Sequence, residues 1–262
     1  MTTTPYLLRM HQGTGVAVRA LLNDLPFHRG DGQRNATVSA AANHLLLPGE
    51  NVLTLEIYKA PRPVESLALE GPVTFTLMVQ EEDTPIVHQV SWPSVYAEVP
   101  FEERTLPFVH SSRFLVDDRL PHPIYWDSPP SRFDLEGLPE QRDVVREFYR
   151  AFQERDLDAF LELNRYKIGE RQRFYPDNPA YSFAAQRAQL AQDFGHEWQV
   201  RPLDQINLEE LVFESRAGGR VAHVTRADGG RAIEAVTTDD SHGAFANDLF
   251  LTLRDGRWRV FR

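Results

Sequence analysis

The chain has 262 residues, 42% of them hydrophobic and 25% charged, with a formal net charge of −10 and no cysteine. The length allows two domains and the composition is that of a folded globular chain. The acidic balance makes nucleic acid and anionic membrane surfaces poor partners, since both call for basic patches, and the missing cysteines exclude disulfides, thiol catalysis and thiolate metal sites.

The opening MTTTPYLLRMHQ has no basic segment followed by an apolar run. No secretory signal is expected there, and a cytoplasmic location is the default. No stretch reaches the roughly 18 apolar residues of a membrane span. Tyr6 to Met10 and Val16 to Leu22 read as short strands, separated by a turn at His11 to Gly15. Asn23-Asp24-Leu25-Pro26 ends the second run, and the polar, glycine-bearing Phe27 to Asn35 reads as a loop. Ala36 to Ala42 is a further strand. Pro48-Gly49-Glu50-Asn51 is a strong turn signal. Val52 to Tyr58 alternates, with Leu53, Leu55 and Ile57 on one face, as a half-buried strand does. Val73 to Val79 and Ile86 to Val90 follow, and Phe108 to Val116 supplies one more strand. Short strands at this spacing, punctuated by Gly and Pro, predict an all-β sandwich over residues 1–120. Residues 121–136 are rich in proline and aromatics and predict an ordered connector.

A new pattern starts at Gly137. Pro139 suits a first helical turn. Val144, Val145, Phe148, Tyr149 and Phe152 recur at spacings of three and four, which is one apolar helical stripe. Asp156 is the expected N-cap of a second, short helix ending near Leu163. Tyr166 to Asn178 reads as basic and irregular, and Ser182 is the expected cap of a helix over Phe183 to Phe194. Three strands follow over Asn207 to Glu214, Arg220 to Arg226 and Arg231 to Thr237, joined by Ala217-Gly218-Gly219 and Asp228-Gly229-Gly230 turns. Asp239 to Asn247 reads as a loop, and Asp248 to Phe261 as a last hairpin turning at Asp255-Gly256. Helices and then a meandering sheet predict an α+β domain over 137–262.

Two resemblances add to this. ALLNDLPF (Ala20 to Phe27) and NHLLLPGENVLTLEIY (Asn43 to Tyr58) resemble the jelly-roll accessory domains of glycoside hydrolases such as the β-galactosidases. The matching positions are Asn23 at the turn, Leu47, Gly49 and Asn51 around the loop, and Leu53 and Leu55 in the sheet; Asp24-Leu25 stands where that family usually has glycine. VVREFYRAFQERDLDAFLEL and LFLTLRDGRWRVFR resemble the nuclear transport factor 2-like, or SnoaL-like, cone fold. Together they imply an all-β sandwich followed by an α+β cone domain, with helices packed on a curved antiparallel sheet. The cone fold hosts isomerases, dehydratases, cyclases and non-catalytic binders.

No nucleotide-binding, hydrolase or zinc-binding motif is present, so no cofactor and no metal is expected. The candidate lining of a cone pocket is Tyr149, Trp198 and His223, with His223 as a base because histidine is the side chain that ordinarily titrates near neutral pH. Asp239, Asp240 and His242 are further candidates; a solvated turn accounts equally for that run. Arg165, Lys167, Arg171 and Arg173 form a basic cluster that either binds an anion or is a solvated face. Three functions are open. The first is a non-catalytic interaction protein, such as an adaptor or immunity-type protein binding a protein partner. The second is a small-ligand binder or isomerase/dehydratase-type enzyme using the cone pocket. The third is a carbohydrate-binding first domain using Trp92, Tyr96 and Trp126 as stacking surfaces. A homodimer through the cone sheet is an expected association, as the cone resemblance implies.

Overall fold

The structure is a computed structural model that describes residues 5–59, 73–79, 85–92, 94–97, 105–195, 198–200, 208–227, 229–237 and 244–262. The chain is sheet-rich and forms two compact units, Met1–Pro123 and Ile124–Arg262. Residues from Ile124 onward in the expected connector thus group with the second unit.

The first unit contains β1 (Tyr6–Gln12), β2 (Val16–Leu22), β3 (Leu25–Gly30), β4 (Ala36–Ala41), β5 (Glu50–Lys59), β6 (Val73–Val79), β7 (Ile86–Trp92), the single-turn helix α1 (Ser94–Ala97) and β8 (Phe108–Leu115). They build two four-stranded antiparallel sheets, in the orders β4-β1-β6-β7 and β3-β2-β5-β8. Both sheets send alternate residues into one core: Leu8 and Met10 from β1, Phe75 and Leu77 from β6, Val18 and Ala20 from β2, Leu53, Leu55 and Ile57 from β5. Side chains alternate along a strand, so each apolar set lands on one face.

The loop expected over Phe27 to Asn35 begins only after Gly30, because Leu25–Gly30 is β3. Asn23 and Asp24 adopt φ of 53° and 68°, the two positive values of a tight two-residue hairpin turn, and Leu22 then faces Leu25 across it. The strand was hidden in sequence because Pro26, His28, Arg29 and Gly30 carry no β-forming signal.

The second unit contains α2 (Pro139–Gln153), α3 (Leu157–Leu163), α4 (Arg165–Phe174), α5 (Phe183–Phe194), β9 (Trp198–Val200), β10 (Leu211–Arg216), β11 (Val221–Arg226), β12 (Ile233–Thr237), β13 (Ala244–Asn247), β14 (Leu249–Arg254) and β15 (Arg257–Val260). As expected, Asp156 Oδ1 accepts the Ala159 N–H at 3.0 Å and Ser182 Oγ accepts the Ala185 N–H at 3.2 Å, capping α3 and α5. At the start of α2, Gln141 Oε1 accepts the Leu138 N–H at 2.8 Å. The α2 stripe Val145, Phe148, Tyr149 and Phe152 packs with Phe160, Phe194, Phe213, Val224, Leu251 and Val260 in one core.

Two expectations change here. Tyr166 to Asn178, read as irregular, is helical as far as Phe174. The buried residues of α4 are Ile168, Glu170 and Phe174, so a carboxylate interrupts the apolar stripe that would have marked the helix. The loop read over Asp239 to Asn247 ends in β13, paired with β12. The strands also divide: β10-β11-β14-β15 is one antiparallel sheet and β13-β12-β9 another. Thr225 and Arg231 make an isolated bridge outside these strands.

Candidate functional site

In the first unit, β8 is the last strand of its sheet, paired with β5 over its full length from Glu50↔Leu115 to Ile57↔Phe108. The Val116 N–H donates to Gly49 O at 2.9 Å, continuing that ladder. Successive residues aim their backbone groups at opposite edges of a strand. Phe108, His110, Ser112 and Phe114 therefore face β5, while Val109, Ser111, Arg113 and Leu115 turn their N–H and C=O groups to the outer edge. No strand among the described residues pairs with that edge. The same four residues carry the outward side chains. Val109 is 59% and Leu115 71% exposed, Ser111 Oγ lies 2.9 Å from Thr54 Oγ1, and Arg113 pairs with Glu50 at 3.1 Å. Ser112 faces inward, 2.8 Å from His88 Nε2.

In the second unit, the sheet β10-β11-β14-β15 carries different chemistry on its two faces. Ala222, Val224, Leu249, Leu251 and Val260 belong to the core formed with α2. Alternation places His223, Phe250 and Arg259 on the opposite face. Tyr149 is only 1% exposed and sits within the α2 core, so the structure sets Tyr149 and His223 on opposite faces and does not bring them together. Trp198 pairs by its backbone with Thr237 in the other sheet, and its side chain lies outside the described residues. The Asp239, Asp240 and His242 run and the Tyr96 side chain also lie outside them. Trp92 is buried in the first core and offers no stacking surface to a sugar. Trp126 is partly exposed and carries the Arg220 guanidinium 5.0 Å above its ring.

Across the second face runs a row of interacting side chains. Arg216 Nη2 donates to Glu214 Oε2 at 2.7 Å, and Glu214 Oε2 is 3.3 Å from His223 Nδ1. The His223 ring stacks on Phe250 at 4.5 Å and 11°. Phe250 also meets Phe261 at 6.0 Å and the Arg262 guanidinium at 5.2 Å. Phe261 reaches Tyr125 at 5.5 Å. His223 is 6% exposed, and its Nε2 is buried with no hydrogen-bond partner among the described residues. A carboxylate that holds one imidazole nitrogen leaves the other to act as donor or base toward a ligand.

Beside this row, α4 brings titratable groups into a desolvated setting. Glu170 is 6% exposed and accepts the Ile124 N–H at 2.6 Å. Burial pushes its carboxyl up to about 7, although that hydrogen bond and Arg173, Arg262 and Arg171 pull the other way. Burial first, and then the neighbouring Arg171 and Arg262 cations, push the half-buried Lys167 amine down to about 7 against the opposing pull of Asp248. Burial lowers Arg262 to about 10, with Arg171 adding to the fall and Asp248 opposing it.

Of these groups, sequence reasoning singled out His223 and the α4 cations. It missed Glu214, Glu170, Arg262 and the open edge of β8. A carboxylate two residues from a strand end carries no signal of its own, and an edge strand is distinguished from an inner one only by its pairing. Among the described residues, no group of three or more His, Asp or Glu is placed to hold a metal ion, and no helix is long and apolar enough to cross a membrane. Comparison with known proteins gives no match to a family model, a curated protein or a solved structure.

Proposed function

We propose that this chain is a two-domain interaction protein that takes up an extended segment of a protein partner along β8. In this reading the first unit is a β-sandwich of the jelly-roll kind and the second a cone of the nuclear transport factor 2-like kind, both serving as scaffolds. The observation that supports it is the eight-residue outer edge of β8, where backbone groups with no strand partner among the described residues and exposed Val109 and Leu115 lie on the same four residues. An edge of this kind adds a strand from another chain by main-chain hydrogen bonds, while side-chain contacts set specificity. The net charge of −10 favours a basic partner, as in an adaptor or immunity-type protein.

Ser111→Pro tests the reading, because proline removes an outward N–H and leaves the ladder to β5 intact. The tagged chain is expected to retain a stoichiometric partner from its own cell extract at physiological salt. Ser111→Pro, with unchanged circular dichroism, is expected to bind that partner at least about tenfold more weakly. Equal retention by the variant, or no retained partner, overturns the proposal.

The Glu214–His223 pair favours a second reading, in which the second unit binds a small ligand or performs isomerase- or dehydratase-type proton transfer through His223 Nε2. A ligand that shifts the thermal midpoint of the native chain but not of His223→Ala would support it. A screen in which every hit shifts both equally would remove it.

A further inference from the structure

We propose that Lys167, Arg171 and Arg262 form an oxyanion-binding site in the second unit, suited to a phosphate or carboxylate group. Lys167 and Arg171 are spaced i, i+4 on α4 and so share one face of the helix. Ile168 and Phe174, both buried, anchor that helix. Its Tyr166 contacts β15 and the adjoining turn, with the Arg259 guanidinium 5.7 Å over the Tyr166 ring and the Tyr166 hydroxyl donating to Asp255 at 3.3 Å. Arg262 lies two residues beyond the end of β15. Its guanidinium is fixed against Phe250, and its Nη1 is buried with no hydrogen-bond partner among the described residues.

The local charge is out of balance. Arg171 and Arg262 each lower Lys167, and Arg171 lowers Arg262, so the three cations crowd one another. Among the described residues, two acidic groups act on them, Asp248 and Glu170. Asp248 also lies 3.7 Å from Arg231. Glu170 already accepts from Ile124, and at neutral pH its carboxyl and the Lys167 amine, both near 7, are each only partly charged, which leaves Arg171 and Arg262 as the full cations. A cluster of desolvated cations with too little counter-charge is costly alone and is stabilised by an incoming anion. A guanidinium nitrogen without a partner among the described residues, with an ammonium in its electrostatic neighbourhood, can donate to carboxylate or phosphate oxygens. That a chain of net charge −10 gathers these cations sharpens the contrast.

The test titrates the full chain with inorganic phosphate and, separately, acetate, with sodium chloride holding ionic strength constant. Thermal midpoint and calorimetry are the readouts. Phosphate is expected to raise the midpoint saturably, and Arg262→Gln or Lys167→Met to weaken binding at least tenfold. Binding near pH 8 is expected to take up protons, because an anion restores the charged form of Lys167. Calorimetry in two buffers of different ionisation heat reads that uptake, which a merely structural role of the lysine would not produce. A response to phosphate alone assigns a phosphate-bearing ligand, and a response to acetate alone a carboxylate. If neither anion acts beyond chloride, the proposal falls. Should Arg262→Gln fail to fold, Arg171→Gln serves instead, and unchanged phosphate affinity in that variant overturns the placement.

Discussion

Asn23 Nδ2 donates to Asn51 Oδ1 at 2.8 Å, joining the β2–β3 turn to the start of β5. Asn51 is buried and engages four groups: it accepts from the Leu47 N–H at 2.8 Å and from Asn23, and donates to Leu47 O at 2.9 Å and Gly49 O at 3.0 Å. Asn23 Oδ1 in turn accepts the Val52 N–H at 3.0 Å. Asn51→Ala strands several of these groups without water, so a loss of about 2–4 kcal/mol is expected. Asn23→Gly keeps the left-handed backbone and removes only the side chain. A double-mutant cycle by urea unfolding is expected to give a coupling of about 1 kcal/mol, and additivity would show that the two amides act independently.

Gly137 has φ of 74°, and a β-carbon there would lie 2.6 Å from the Phe213 ring. Strain and clash therefore act together. Phe213 cannot retreat easily, because it is fully buried and its N–H donates to Leu135 O at 2.9 Å. Gly137→Ala is expected to destabilise the second unit by roughly 2–4 kcal/mol. By contrast, Leu115→Ala on the open edge should change stability by less than about 0.5 kcal/mol. Parallel thermal melts of the two variants decide this, and similar losses would contradict the assigned environments.

The elements legible in the sequence were those whose signal is local. The caps at Asp156 and Ser182, the α2 stripe and the turn at Asn23-Asp24 each announce themselves within a few residues. Helix α4 did not, because Glu170 occupies a buried position that periodicity reads as a break. β12 was legible as a strand but not as a member of another sheet, since pairing is a long-range property. The candidate site divides the same way. His223 was visible as a histidine on a strand. That its face is the one turned from α2, and so from Tyr149, depends on which alternate set the helix covers.

The two groups driven to about 7 on α4 bend the pH profile in opposite directions. Glu170 stands at about 7 in the folded state against 4.5 as its ordinary value. Between those values the folded chain holds a proton that the unfolded chain has lost, so stability falls as pH rises, by at most about 3 kcal/mol. Lys167 stands at about 7 against 10.5. Between those values the unfolded chain holds the extra proton, so stability rises with pH. The contributions of these two groups therefore place a minimum near pH 7. Glu170→Gln is expected to flatten the acidic limb and Lys167→Met the alkaline limb, each read from urea midpoints between pH 5 and 10. Variants that shift the whole curve without changing either slope would refute the assignment.

His223 separates packing from chemistry most sharply. Its ring is held by the Phe250 stack at 4.5 Å, and its Nε2 is buried without a partner among the described residues. A phenylalanine at 223 would keep a flat ring against Phe250 and delete that unpaired nitrogen, a group whose burial costs about 1–3 kcal/mol. Glu214 loses its contact with Nδ1 but keeps the Arg216 hydrogen bond at 2.7 Å. The larger ring adds some crowding. His223→Phe is therefore expected to be neutral or stabilising by about 1 kcal/mol in thermal denaturation, whereas Glu214→Ala should cost about 1–3 kcal/mol by releasing both Arg216 and His223. A residue whose removal stabilises the fold is retained for something other than the fold. If His223→Phe instead lost more than about 2 kcal/mol, Nε2 would have an engaged partner and histidine at this position would be explained by structure alone.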